Sequence, residues 1–294
     1  MEEKITSQQK SSQTQKNTKE FLEKYLQKSI PCLDKGFVRL VDYMGDDNAI
    51  VQAARVSYGA GTKSINDDTA LIRYLLRNKH TTPFEMCEIK LHIKAPIFIA
   101  RQWLRHRTAN VNEYSARYSI MEHDYYLPEP SQLCHQSKSN KQGRSEVIAE
   151  PLNSEIQGQI KEISEKAFEV YDNFLSEDIN LAKEISRTIL PVNVYTQFYW
   201  KIDLHNLLHF LKLRVDAHAQ YEIRVFAQAI LDLVKEWVPI TYQAFMDYAI
   251  NSHLISGEEL ELLKKILKGE PYKIENYRIS KRELSSLKQT FEID

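Results

Sequence analysis

Glycine is scarce in this chain, eight residues in 294, and none falls in G-x-G-x-x-G or G-x-x-x-x-G-K spacing. Rossmann-type and P-loop phosphate cradles are therefore excluded, because both need those glycines to let backbone approach an anion closely. Cysteine is scarcer still, three residues at Cys32, Cys87 and Cys134. Their odd number and wide spacing exclude a disulfide framework and a cysteine-built zinc site, and fit a reducing, cytoplasmic setting. No apolar run approaches the ~20 residues that a membrane helix needs. The first 20 residues, rich in Ser, Gln, Lys, Thr and Glu, lack the apolar stretch of a signal peptide. Charge of one sign is missing too. With 39 basic against 40 acidic residues, the net charge of −1 gives no reason to expect duplex nucleic acid or an anionic membrane as partner.

What is present is globular composition, 43% hydrophobic and 27% charged, in a chain long enough for a substantial core. Residues 1–30 read as a polar, disordered tail in which Thr18–Lys28 adds at most a short helix. Asp34–Met44 alternates like a strand, and Asp46-Asp47-Asn48 starts a helix over Ala49–Val56. Asp67-Asp68-Thr69 opens a second helix, striped by Leu71, Ile72, Leu75 and Leu76 and ending near Asn78. Cys87, Ile89, Leu91, Ile93 and Ala95 alternate with Glu88, Lys90, His92 and Lys94. That period of two predicts a half-buried strand of an antiparallel sheet. Pro96 ends it, and Ile97–Arg105 turns helical. Residues 131–150 read as a long polar loop or surface insertion. Ile156, Ile160, Ile163, Ala167, Val170 or Tyr171, and Phe174 mark a clear helix, and a single longer pattern runs from Leu204 to Val238. Residues 251–294 form a helical C-terminal extension, with Ser-x-x-Glu capping signatures at Ser256 and Ser280 and a Gly269/Pro271 stop. The fold expected is α+β, an antiparallel sheet packed against long helices.

Chemistry concentrates in Arg101–Ser119, RQWLRHRTANVNEYSARYS. It holds four arginines, a histidine and two asparagines, with Glu113 as its only acid. A charge run is usually a solvated face, but a net positive cluster rich in neutral donors also suits a phosphate and a polar heterocycle. On composition alone the two readings stand level.

The order of those residues is more specific. Arg105-His106-Arg107, then Asn112-Glu113, Ser115 and Arg117 resemble the signature of the flavin-dependent thymidylate synthases. Asn110 stands where the common pattern has serine. Asp34–Gly45, Ala53–Ser57, His80–Glu85, Lys94–Trp103, Arg187–Trp200 and Leu211–Gln220 are also family-like, so the resemblance covers roughly residues 31–250, read as the catalytic domain. It implies FAD as cofactor, NADPH and methylenetetrahydrofolate as co-substrates, dUMP as substrate, and a homotetramer with active sites between subunits. It implies flavin contacts from His80, Thr82, Arg105, His106, Arg107, Glu113, Asp203, His205, His209 and His218. It places Gln102, Arg105, Glu113, Ser115, Ala116, Arg117, Arg187 and Arg214 around dUMP. Arg214 is the residue expected to activate the uracil ring, electrostatically and not as a base. Its bland alternative is a helix-surface salt bridge, for example to Asp216.

Other chemistries find weaker support in the sequence. His205 and His209, four apart with Asp203 nearby, could suggest a metal-dependent hydrolase, but H-x-x-x-H without the glutamate of H-E-x-x-H is weak, and no metal is expected. A non-catalytic nucleotide-binding module is suggested by arginines beside Tyr114, Tyr118, Tyr125 and Tyr126. Cysteine catalysis is not expected, since Cys87 falls on an apolar strand face and Cys134 in a polar loop.

Overall fold

Strand and helix starts follow from side chains that satisfy backbone locally. A computed structural model describes residues 22–56, 67–138 and 143–293. The chain divides into two compact units, Met1–Phe245 and Met246–Asp294.

In the first unit, strand β1 (Ser29–Cys32) and strand β2 (Gly36–Met44) form a hairpin. Helix α1 (Asp47–Arg55) starts where the Asp46 carboxylate accepts from the Ala49 amide. Gly45 joins β2 to α1 at φ +80°, and a Cβ there would come within 2.7 Å of the Cys87 sulfur, so only glycine fits. Helix α2 (Asp68–Arg77) is capped by Asp67, which accepts from Thr69 and Ala70. The one-turn helix α3 (Thr82–Glu85) leads into β3 (Glu88–Pro96), then α4 (Ile97–Trp103) and β4 (Asn110–Glu113). A two-stranded ribbon, β5 (Cys134–Gln136) and β6 (Arg144–Val147), precedes the 24-residue helix α5 (Leu152–Leu175). Helix α6 (Lys183–Ser186), strand β7 (Tyr195–Asp203), helices α7 (Leu204–Arg214) and α8 (Tyr221–Trp237), and α9 (Pro239–Phe245) complete the unit.

The main sheet has the order β1-β2-β3-β7-β4, antiparallel throughout. One face is apolar: Val38 and Leu40, then Ile89, Leu91, Ile93 and Ala95, then Phe198, Trp200 and Ile202 are all buried. Trp103, fully buried, stands over this face with its ring 5.6 Å from Phe198, 5.2 Å from Trp200, 4.9 Å from Phe210 and 5.9 Å from Phe226. It thus ties the end of α4 to β7, α7 and α8 through area burial and ring packing. The opposite face carries the polar half of each strand. There Arg39 hydrogen-bonds His92, His92 Nε2 lies 3.0 Å from Gln197 Oε1, and Lys94 pairs with Asp124 at 2.5 Å.

The second unit holds helix α10 (Gly257–Lys268) and helix α11 (Lys281–Phe291), each opened by a complete capping box, at Ser256/Glu259 and Ser280/Glu283. Gly269 closes α10 in the left-handed conformation.

Four expectations are corrected. The Leu204–Val238 pattern is two helices, not one. The Asp216 carboxylate accepts from the His218 amide at 2.8 Å, and this local bond competes with helical pairing between Val215 and Gln220. Residues 131–150 contain the β5–β6 ribbon, held by Arg144 on the buried Glu222. On α5 the buried side is Ser164, Ala167, Phe168 and Tyr171, while Ile163 is exposed, because the helix packs beneath Met121 and Val194 rather than along the isoleucine row. Of the expected tail, residues 1–21 lie outside the described residues, whereas Leu22 is fully buried and Ser29 begins a strand.

Candidate active site

Trp103 fixes the end of α4 in the core, and the chain emerges from it as Arg105-His106-Arg107. The backbone amide of His106 is held by the Trp103 carbonyl at 2.9 Å. The His106 ring packs against aromatic neighbours from β7 and α7. Its centroid is 5.6 Å from Phe210, 6.5 Å from Trp200 and 5.4 Å from His209. Burial pushes its pKa down, and the nearby His209 and Arg214 charges push the same way, against the Asn206 carbonyl and Asp203. His106 is therefore a neutral ring at neutral pH. Arg105 and Arg107 flank it on the exposed side, and neither has a hydrogen bond or ion pair among the described residues.

Helix α7 supplies the second wall. Asp203 is its N-cap, accepting from the Asn206 amide at 2.9 Å and side chain at 2.7 Å, so its carboxylate is occupied by the helix end. His205 is half-buried and His209 exposed one turn on. Arg214 ends the helix, half-buried, with its Nε buried and partnerless. Desolvation alone lowers its pKa, yet a guanidinium stays charged at neutral pH. A salt bridge to Asp216, the bland alternative for Arg214, is absent; Asp216 instead holds His218, whose Nδ1 lies 3.0 Å from Asp216 Oδ1. His218 is exposed and opens onto a cleft of about 490 Å³ bordered by Cys134, Arg144, Tyr221 and Arg224, apart from the His106 contacts. Helix α3 packs on α7, and His80 stands just before its start at Thr82. His80 is exposed and meets Tyr74 edge-on at 5.7 Å.

A second group lies along the outer strand β4. Glu113 pairs with Phe198 in register, and its Oε1 accepts from the Thr196 hydroxyl at 2.8 Å. Beyond it Ser115 and Ala116 are half-buried, and the Arg117 amide reaches the Ser115 hydroxyl at 3.4 Å. The Arg117 guanidinium is 3.1 Å from Glu184, and Arg187 donates its Nε to the Glu184 carbonyl at 3.3 Å. Gln102, on α4, buries an Oε1 that has no partner. No hydrogen bond or ion pair among the described residues joins this group to His106 or Arg214. Glu184 and Thr196 were missed by sequence reasoning. Glu184 could have been found as the one acid a helical turn before Arg187; nothing local marks Thr196.

The residues fit a flavin and a nucleotide. Arg214 Nε and Gln102 Oε1 are buried atoms without partners on half-buried side chains, so each is free to bond a ligand. The unpaired Arg105 and Arg107 offer fork donors to phosphate. Cys32 and Cys87 are buried, with burial pushing each thiol up to about 12, so neither is a thiolate nucleophile.

A family model described as thymidylate synthase complementing protein matches residues 39–240. A flavin-dependent thymidylate synthase of Wolbachia pipientis wMel is 58% identical over 255 residues, 87% of this chain and 89% of that one. Its counterpart in Ehrlichia ruminantium (strain Gardel) is 55% identical over 266 residues, 90% of this chain and 89% of the other. That of Rickettsia prowazekii (strain Madrid E) is 50% identical over 289 residues, 95% and 98% of the two chains. Among solved structures, the UMP/dUMP methylase PolB from Streptomyces cacaoi, bound with 5-Br UMP, superposes with a TM-score of 0.67 at 33% identity, over 76% of this chain and 99% of that one. With the arginine-flanked His106 ahead of the edge strand, the desolvated Arg214 and relatives above half identity over 87–90% of the chain, this protein belongs to the thymidylate synthase complementing protein family, the flavin-dependent thymidylate synthases.

Proposed function

We propose that the chain converts dUMP to dTMP as a flavin-dependent thymidylate synthase. When bound, FAD supplies the hydride that completes the new methyl group, with NADPH as the reductant and methylenetetrahydrofolate as the one-carbon donor. Arg105, His106 and Arg107 hold the flavin nucleotide, the two arginines through its phosphates and the neutral His106 through its ring. His80 just before α3 and Thr82 at its start border it, with Asp203 at the end of β7 and His205 and His209 on α7, whereas His218, expected among them, lines the separate cleft beside Arg144 and Arg224. Glu113 serves both ligands. Gln102, Ser115 and Ala116 orient dUMP, and Arg117 and Arg187 take its phosphate.

The observation that carries this reading is Arg214, a half-buried guanidinium whose Nε has no partner. A desolvated cation is stabilised by an anion, and a uracil ring losing proton character at its imide is such an anion. Arg214 thus strengthens the nucleophilicity of C5 without accepting a proton. No enzyme-bound covalent nucleophile takes part.

A homotetramer with sites between subunits belongs to this reading, and it is in keeping with the lack of any hydrogen bond or ion pair, among the described residues, between the His106–Arg214 group and the Arg117–Arg187 group. Helix α8 lends it no support, because ten of its residues from Glu222 to Trp237 are buried within one chain. Residues 31–250 are the catalytic region in this reading, and residues 251–294 an appended helical pair. None of the described helices is long and apolar enough to cross a membrane.

The test is direct. Full-length protein loaded with FAD is given dUMP, methylenetetrahydrofolate and NADPH, and dTMP and tetrahydrofolate are measured. Flavin absorbance with product supports the reading; a folded, flavin-bearing protein that forms no dTMP rejects it.

A further inference from the structure

Glu184 meets both arginines assigned above to the nucleotide phosphate. Its carboxylate lies 3.1 Å from Arg117 Nη2, and its carbonyl accepts from Arg187 Nε at 3.3 Å. The helix that presents it is pinned at both sides. Lys183 donates to the Tyr118 carbonyl at 3.2 Å, and the buried Ser186 hydroxyl bonds the carbonyls of Leu181 and Ala182, each at 3.2 Å. The carboxylate is thus delivered to Arg117 by fixed backbone. A carboxylate and a phosphate ask the same fork geometry of a guanidinium. The pair itself is loosely held, with the two side chains 54% and 53% exposed, so an anion of higher charge can displace it.

We infer that Glu184 is an internal competitor for the phosphate of the nucleotide, occupying Arg117 when no nucleotide is bound and giving way when one binds. The inference rests on the reading that Arg117 takes that phosphate. Glu184 weakens every ligand that places a phosphate on Arg117 by one common factor, substrate and product alike, and so speeds release of dTMP. An uncharged nucleoside has no reason to displace it and is unaffected.

The experiment titrates FAD-loaded wild-type protein, Glu184→Gln and Arg117→Ala with inorganic phosphate, dUMP, dTMP and deoxyuridine by calorimetry. Glu184→Gln keeps the shape and removes the charge. It is expected to tighten phosphate, dUMP and dTMP alike, by about three- to five-fold, the scale an exposed ion pair commands, and to leave deoxyuridine unchanged. Unchanged or weaker phosphate binding in Glu184→Gln overturns the proposal, as does a shift of deoxyuridine by the same factor, which would mark a merely structural role. Arg117→Ala separates the two levels. If it binds phosphate and dUMP as wild type does, the phosphate assignment itself falls; if it loses them while Glu184→Gln behaves as wild type, only the competitor role falls.

Discussion

The rings of His106 and His209 meet edge to face, 5.4 Å between centroids and 82° between planes, joining the arginine-flanked turn after α4 to helix α7. Burial, His209 and Arg214 together lower the His106 pKa from 6.5. The folded protein therefore binds fewer protons here than the unfolded chain does in the window just below that value. Stability rises with pH through this window and falls as acid protonates the buried ring. His92 adds to the effect, since burial and Arg39 lower its pKa as well. The melting temperature is expected to drop between pH ~7 and pH ~5, and His106→Gln to flatten that slope. A His106→Gln profile as steep as wild type would remove His106 from the account.

Arg214→Ala removes the desolvated cation. Turnover is expected to fall by about 10²–10³-fold, the loss seen when one preorganised donor to a developing anion is deleted. Bound flavin, read by its absorbance, should remain near stoichiometric. A wild-type rate in this variant would reject the activating role.

The buried thiols make a sharper statement about covalent chemistry. Cys32 and Cys87 sit near pKa 12, and Cys134 is tied to the Ser131 carbonyl at 3.7 Å. Replacing all three with alanine is expected to preserve flavin-dependent dTMP formation in the folded fraction. Complete loss with intact circular dichroism would contradict a mechanism without a cysteine nucleophile.

Glu222 is a polar hub beneath the ribbon. It accepts from Arg144 at 2.5 and 2.7 Å, from Tyr126 at 3.1 Å and from Gln220 at 2.9 Å, at 2% exposure. Glu222→Ala strands all three donors and is expected to cost about 2–4 kcal/mol in urea unfolding, with Glu222→Gln milder. A loss below ~1 kcal/mol would mean the ribbon is held by other contacts.

Local grammar was easy to read. Asp46, Asp67, Ser256 and Ser280 announce their helices because a cap is a bond between neighbours in sequence, and the alternation of β3 survives because one face is buried and the other is not. Strand β7 is not among the expected elements although Phe198, Trp200 and Ile202 alternate with Gln197, Tyr199 and Lys201, because the exposed aromatic Tyr199 blurs the contrast between its two faces. Strand β4 could not be read at all: its four residues are exposed and it exists only because β7 offers it a ladder.

By itself the sequence determined the antiparallel α+β class, the caps and the ordered motif from Arg105 to Arg117, all of them local patterns or residue orders. Tertiary structure alone decided that His106 lies against His209 and Phe210, that Arg214 is desolvated rather than paired with Asp216, and that Glu184 holds Arg117. Those facts depend on burial and on groups far apart in sequence, His106 and Phe210 among them, being packed together, and neither is encoded in the spacing of near neighbours.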